Sequence, residues 1–353
     1  MKKGNILDID GSFGEGGGAI LRIGAGYSVL FKRPIRIKNI RANRPKPGLR
    51  MQHLIGLQTL AELTNSTLSD CRVGSTEITL YPNTDVKSNC NVKISTAGSI
   101  GLLLQPIQIA CLGFKNSKKI HINIQGGGTF GKWAPSLNYL QEVTYQIFKN
   151  AGLKIEIDIQ NHGFYPKGGA NVKCVFQPPL GNIKPINLID LGNLDLIQGE
   201  IIATHHLKNR NVSERIKKSV IQLLEKRVKI EVDLKATYVN SLSSGVGLSL
   251  WADSDTGAII SSGTILGERN ITSEKLAKMA VDELLRYVEK EIPVDNYLSD
   301  QLIPLMAYTE KPSRIKIHQI SSHTDTNLKL TKLFTQRDYS IIQEKDYFII
   351  EYS

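Results

Sequence analysis

One pattern occurs three times in this chain: a helix-like apolar run, a short basic or proline-containing turn, an alternating strand, then a polar tail. It is found at 19–41, where the strand reads PIRIKNI, at 98–125, where it reads KIHINIQ, and at 297–320, where it reads RIKIHQI. After each tail come a second helix and two strands. The middle copy places these at 134–151, 154–160 and 171–176, and the last at 327–334, 340–344 and 347–351. The first copy opens with a strand at 5–9 and continues with a helix at 54–63 and strands near 67–70 and 77–81. Units of this kind cover one sheet face with helices and can pack around a shared axis to bury those faces together. The expected fold class is α/β (α+β), with a large domain of three repeated βαβαββ-like units at 1–182 and 274–353. Residues 183–273 break the pattern and read as a small inserted α/β domain, with strands near 196–205, 235–240, 247–252 and 258–264 and a basic helix at 213–226.

If the units are equivalent, their tails meet, and tails beyond strand ends carry chemistry more often than element interiors do. The first tail, 41–50, holds Arg41, Arg44, Lys46 and Arg50 among prolines that keep it out of helix and sheet. Arginine forks match phosphate oxygens, whereas a plain solvated basic loop is the commoner fate of such a run. The second tail is the glycine turn Gly126-Gly127-Gly128 with Thr129, Phe130, Gly131 and Lys132; the third, 321–327, holds His323. Ahead of the first helix runs Gly11 to Gly18, with Glu15 inside it. A glycine loop opening a helix is a ready anion site or simply a tight turn. It matches neither the Walker pattern nor a clean GxGxxG loop. A carboxylate there suits a phosphate neighbour only with a metal ion between them. Together the tails suggest a phosphate site with one nucleophile or acid/base group, His323.

Over 353 residues, 44 Lys and Arg against 33 Asp and Glu leave a charge of +11 and a pI near 9.3. That balance suits a polyanionic partner, nucleic acid above all, or a lysine-rich solvated surface. No apolar run approaches the ~20 residues of a membrane span, and the N-terminal lysines precede no apolar core, so a cytoplasmic protein is expected. Cys71, Cys90, Cys111 and Cys174 form no CxxC pair, which argues against a zinc cluster; a disulfide is the minor reading. His121 and His318 alternate within strands, His162 reads as tying a turn, and His53 at a helix start is the further candidate for lining the site. His205, His206 and the lysines and arginines after them read first as a solvated helix face and second as an RNA contact.

The motifs DGSFGEGGG followed by ILR, IRANRPKPGLRMQHL, HGFYPKGGA, YLSDQL and HTDTN resemble, over essentially the whole chain, the RNA 3′-terminal phosphate cyclases. The resemblance implies a large three-unit domain with an inserted domain, similar in topology to enolpyruvyl transferases. It also implies an ATP-dependent reaction. His323 would attack the α-phosphate to form a histidine–AMP phosphoramidate, and AMP would pass to an RNA 3′-phosphate. The 2′-hydroxyl would then close a 2′,3′-cyclic phosphate and release AMP. Carried over residue by residue, Arg22, Arg41, Arg44 and Gln52 hold triphosphate or RNA phosphate. Glu15 helps to place Mg²⁺ or Mn²⁺. Gln105 and Tyr297, Leu298, Ser299, Asp300 and Gln301 match ATP-binding positions, with Tyr297 on one face of adenine and Pro135 on the other. Two departures bear on nucleotide specificity and metal affinity: Ala19 stands where many members have glutamine, and Phe130 where many have aspartate.

Three functions follow from these residues. An active cyclase acting on RNA with a 3′-terminal phosphate needs His323 together with Arg22, Arg41 and Arg44, all of which are present. A non-catalytic cyclase-like RNA-binding factor of ribosomal RNA processing would lack the histidine. An enolpyruvyl-type transferase rests on topology alone. The sequence leaves a homo-oligomer open.

Overall fold

The computed structural model describes residues 6–83, 85–115 and 118–353. The N-terminal lysines, Asn5 at the start of the expected first strand, and part of the lysine-rich turn after the second apolar run lie outside the described residues. The first unit contains β1 (Leu7–Asp10), α1 (Ala19–Leu30), β2 (Ile35–Lys38), α2 (Met51–Leu63), β3 (Thr67–Leu68) and β4 (Ile78–Tyr81). The second contains β5 (Asn89–Ser99), α3 (Ile100–Cys111), β6 (Ile120–Gly128), a helix begun by α4 (Leu137–Tyr139) and finished by α5 (Tyr145–Ala151), β7 (Lys154–Asn161) and β8 (Asn171–Gln177). Then follow β9 (Asn187–Leu188), β10 (Leu194–Thr204), α6 (Val212–Glu225), β11 (Glu231–Val239), β12 (Val246–Ser254), β13 (Ile259–Leu266) and α7 (Ser273–Glu289). The chain closes with α8 (Asn296–Tyr308), β14 (Ser313–Ile317), α9 (Ser322–Lys332), β15 (Tyr339–Gln343) and β16 (Phe348–Tyr352).

Four sheets of four strands form among the described residues, giving a mixed α/β fold of the α+β class. Three of them have matching strand orders: β1-β2-β4-β3, β5-β6-β8-β7 and β9-β14-β16-β15. In each, the first pair is parallel and the other two pairs are antiparallel. The parallel pair follows from the intervening helix, because a parallel neighbour needs a crossover. The alternation of β6 is explicit: Ile120, Ile122 and Ile124 are buried while His121, Asn123 and Gln125 face out, as a period of two requires.

The fourth sheet has the order β11-β10-β12-β13. It is covered by α6 and α7, which also pack on each other. Residues 187–188 pair with β14 and so belong to the third unit's sheet. Helix α7, expected in the large domain, instead packs on β12 and β13. The apolar stripe of α7, with Leu276, Ala277, Ala280, Val281, Leu284 and Leu285 buried, has the helical spacing that one covered face needs.

At the centre lies α1, with all twelve residues buried, as expected of a helix apolar all round. It packs against α2, α3 and α9. Gly26 permits the closest crossing: a Cβ there would sit 2.9 Å from both Ile109 Cβ and Pro106 O of α3. Tyr27 Oη and Thr331 Oγ1, 2.8 Å apart, tie α1 to α9. The four cysteines are free thiols. Among the described residues no helix is long and apolar enough to cross a membrane.

Candidate active site

Arg22 is the only charged residue of the buried helix α1. Its Nε donates to Gln105 Oε1 of α3 at 2.8 Å. Among the described residues it makes no ion pair; the partners of Glu15 are Arg44 and His323. Burial therefore draws its pKa down to about 10, with Glu15 and Asp300 opposing at longer range. A buried cation without a paired anion is costly, and an anion brought beside it would lower that cost.

The guanidinium faces a cavity of about 500 Å³, within the range of small-molecule sites. The cavity is lined by Ala19, Arg22 and Gln105, by Gly131 to Pro135, by Gly263 and Thr264 of β13, by Asn296, Tyr297, Asp300 and Gln301, and by His323. Tyr297 and Pro135 thus both reach it. Leu298 and Ser299 do not: Leu298 is buried in the core, and Ser299 Oγ bonds Asn296 O and Thr324 Oγ1. In a helix, neighbours at i and i+1 face different ways, so a five-residue motif cannot line one wall throughout.

Helix α8 is set by Asp295, whose buried carboxylate accepts from Tyr297 N at 2.8 Å, Leu298 N at 2.9 Å and Tyr139 Oη at 2.9 Å. Burial pushes this carboxyl up to about 7, against those bonds. Asp295→Ala should cost about 2–3 kcal/mol, the sum of a lost N-cap and orphaned donors, read as a lowered denaturant midpoint. The folded pKa lies above the unfolded one, so the folded state holds the extra proton between about pH 4 and pH 7. The stability advantage of wild type over Asp295→Asn should shrink as pH rises through that window. A gap that widens instead would refute the assignment.

His323 does not lie in a loop, as the polar tail predicted, but in the first turn of α9, with Ser321 as N-cap accepting from Thr324 N at 3.0 Å. Four residues on, Asn327 donates to Asp300 O at 2.8 Å. The spacing in HTDTN thus puts both side chains on one helix face, with asparagine anchoring α9 to α8 beneath the histidine. The imidazole is half exposed, and its Nδ1 lies 3.2 Å from Glu15 Oε2. The glutamate hydrogen bond raises the His323 pKa against burial. Burial would raise Glu15, but the His323 hydrogen bond and the charges of His323, Arg44 and Arg22 bring it below the ordinary value. Burial pushes Asp300 up to about 6, with His323 and Arg22 opposing.

The glycine run before α1 exists to let these groups approach. Gly14 has φ of +61°, and a Cβ there would meet Thr326 Oγ1 of α9 at 2.4 Å. A Cβ on Gly18 would meet His53 Nε2 at 2.3 Å and Arg22 Nη1 at 2.8 Å. His53 is thereby packed behind Arg22, its Nδ1 accepting from Arg50 N, and burial with the nearby arginines drives its pKa to about 3. It supports the site and does not line the cavity.

The first tail departs from the expected convergence. Arg41 donates through Nη1 to Lys46 O at 2.7 Å and Gly48 O at 3.1 Å; it staples its own loop. Arg44 reaches the site only through Glu15, at 3.6 Å. Gln52 lines a neighbouring cleft rather than this cavity. Phe130 is buried in packing and does not line the nucleotide-sized cavity, whereas Ala19 does. His162 is tied to Thr129 Oγ1 at 3.1 Å, and burial lowers it to about 4.

The sequence left the inserted domain's role open; in the structure its Gly263 and Thr264 form one wall of the cavity. A Cβ on Gly263 would lie 2.5 Å from the Tyr297 ring, so this strand glycine makes room for it. A lone glycine inside a strand pattern was the available signal.

The sequence profile of the family described as RNA 3′-terminal phosphate cyclase matches residues 13–341. Among proteins named RNA 3′-terminal phosphate cyclase, that of Thermococcus gammatolerans is 35% identical over 95% of this chain and 94% of its own. That of Methanosarcina barkeri is 35% identical over 99% and 100%, and that of Methanopyrus kandleri 32% over 94% and 93%. A match of this identity along nearly the full length of both chains, on a fold that brings His323 and Arg22 to one cavity with Glu15 held against His323, places this chain in the RNA 3′-terminal phosphate cyclase family.

Proposed function

We propose that the chain uses ATP to convert an RNA 3′-terminal phosphate into a 2′,3′-cyclic phosphate, with His323 as the covalent nucleophile. The observation that carries this reading is the contact of His323 Nδ1 with Glu15 at the edge of a cavity containing a buried, unpaired Arg22. A carboxylate only accepts, so the neutral imidazole carries its proton on Nδ1 and its lone pair on Nε2. Nε2 attacks the α-phosphorus of ATP, a P–N bond forms, and diphosphate leaves. An oxygen of the RNA 3′-phosphate then attacks that phosphorus and the P–N bond breaks. Finally the 2′-oxygen attacks the activated 3′-phosphorus, and AMP departs with the cleaved P–O bond. Adenylylation supplies the leaving group that a phosphate monoester lacks.

Tyr297 and Pro135 bracket the base, and Arg22 and the first turn of α9 face phosphate charge. Arg44 holds Glu15 in place rather than meeting the nucleotide directly. Among the described residues no three His, Cys, Asp or Glu side chains form a metal cage. That donor set fits a Mg²⁺ or Mn²⁺ ion held by Glu15 and otherwise by phosphate oxygens and water. Such an ion would neutralise phosphate charge. A non-catalytic RNA-binding role has no use for a tautomer-fixed histidine beside an unpaired buried arginine.

Protein incubated with ATP labelled at the α-phosphate should acquire an acid-labile, base-stable label. A chase with an oligonucleotide ending in a 3′-phosphate should remove it and yield the cyclic end. Absence of label, with ATP bound, would overturn the covalent route.

A further inference from the structure

A second cleft, of about 650 Å³, lies between the second unit and the inserted sheet. Its floor is a buried aromatic stack. The rings of Phe130 and Phe164 lie 4.7 Å apart at 17°, and His162 lies 5.6 Å beyond Phe130. The inserted domain meets this stack with bare backbone: a Cβ on Gly245 would lie 2.3 Å from Phe164, and one on Gly247 2.6 Å from Phe130. The floor is therefore rigid. On it stand two large aromatic side chains that the protein does not cover, Trp133 at 88% exposure and Tyr165 at 80%.

Trp133 follows the glycine turn, with Lys132 Nζ 5.6 Å over its ring. Tyr165 sits at the tip of a hairpin closed by Gly168 N donating to Phe164 O at 2.8 Å. That hairpin lies directly on β6: a Cβ on Gly163 or Gly168 would be 2.3 or 2.7 Å from Gly127 O. This is the physical sense of the HGFYPKGG motif, which the nucleotide chemistry does not use. The cleft shares Leu102 and Gly131 to Ala134 with the nucleotide cavity, so the two are continuous. Lys132 is paired with Glu268 Oε1 of the cleft wall at 2.7 Å, and Lys167 adds positive charge on the Tyr165 hairpin.

Single exposed aromatics are ordinary, but two on one cleft, with Lys167 on the hairpin beside them and continuous with the cavity that holds Arg22, fit one occupant. We propose that this cleft takes the single-stranded RNA upstream of the terminal phosphate, with Trp133 and Tyr165 as stacking platforms for its bases. Stacking on an aromatic face tolerates any base and weakens binding roughly tenfold or more per platform when removed. The proposal rests on the RNA-end reading above, and it adds that the enzyme measures the length of unpaired RNA rather than its sequence.

The test uses the full chain and a fluorescent 3′-phosphorylated hexanucleotide of mixed sequence. Tyr165→Ala and Trp133→Ala should each raise its Kd by anisotropy, and its KM for cyclisation, about tenfold. Tyr165→Phe, which keeps the ring, should restore both. A nucleoside 3′-phosphate, too short to reach the platforms, should be handled alike by wild type and Tyr165→Ala. Labelling by ATP alone, followed in Tyr165→Ala because that residue lies outside the nucleotide cavity, reports on the first step separately. If wild type takes no label, the catalytic reading falls, and hexanucleotide binding still judges the cleft. An unchanged hexanucleotide Kd in the double variant would overturn the proposal. So would a change confined to sedimentation mass, which would make the cleft an interface between proteins.

Discussion

His323→Ala protein should take up no label from ATP and should cyclise RNA 3′-phosphates at least about a thousandfold more slowly than wild type, the scale of loss when a covalent nucleophile is removed. The substitution falls on a half-exposed side chain in the first turn of α9, whose anchors are elsewhere. Ser321 caps the helix, and Asn327 bonds Asp300 O. The fold should therefore survive, and the melting temperature should stay within a few degrees. His318→Ala is the matched control. That imidazole lies on the far side of β14's end, its Nδ1 3.1 Å from Asp346 O, and its loss should leave labelling intact. Full cyclisation by His323→Ala would reassign the nucleophile.

Arg22→Met should separate stability from function in opposite directions. Methionine occupies similar length in a helix that is buried on every side, and it removes a charge that has no ion-pair partner among the described residues. The ligand-free protein should gain about 1 kcal/mol or more against denaturant, because burying an unpaired cation is unfavourable. Nucleotide transfer should nevertheless fall by about a hundredfold or more, the value of a charge-assisted contact to phosphate in a desolvated site. Gln105 loses its donor but remains partly exposed and can turn to water. A destabilised Arg22→Met protein with normal transfer would show that the guanidinium is structural.

Two of the side chains that the fold brings together were legible in the sequence: a lone histidine beyond an alternating strand and a glutamate among glycines are conspicuous against their surroundings, whereas Arg22 came only with the family resemblance. The site's membership was less legible. Arg41 and Arg44 look alike in sequence, yet Arg41 is consumed by two carbonyls of its own loop and Arg44 by Glu15. Whether an arginine is free for a ligand depends on which acceptors the folded loop brings near it, and composition does not encode that. Leu298 and Ser299 face away from the cavity for a simpler reason: a motif read as a string becomes a helix with an inside and an outside.

From its residues alone the chain determined the period-two strands, the apolar helices between them, and the mixed α/β class. These are local consequences of side-chain alternation, capping and turn chemistry, acting over a few residues. Only the tertiary structure decided that α7 covers the inserted sheet, that β9 joins the third unit across more than a hundred residues of chain, and that Gly263 makes room for Tyr297. Those outcomes depend on which apolar faces meet and how closely backbones can approach. Many sequences with the same local pattern satisfy that requirement differently.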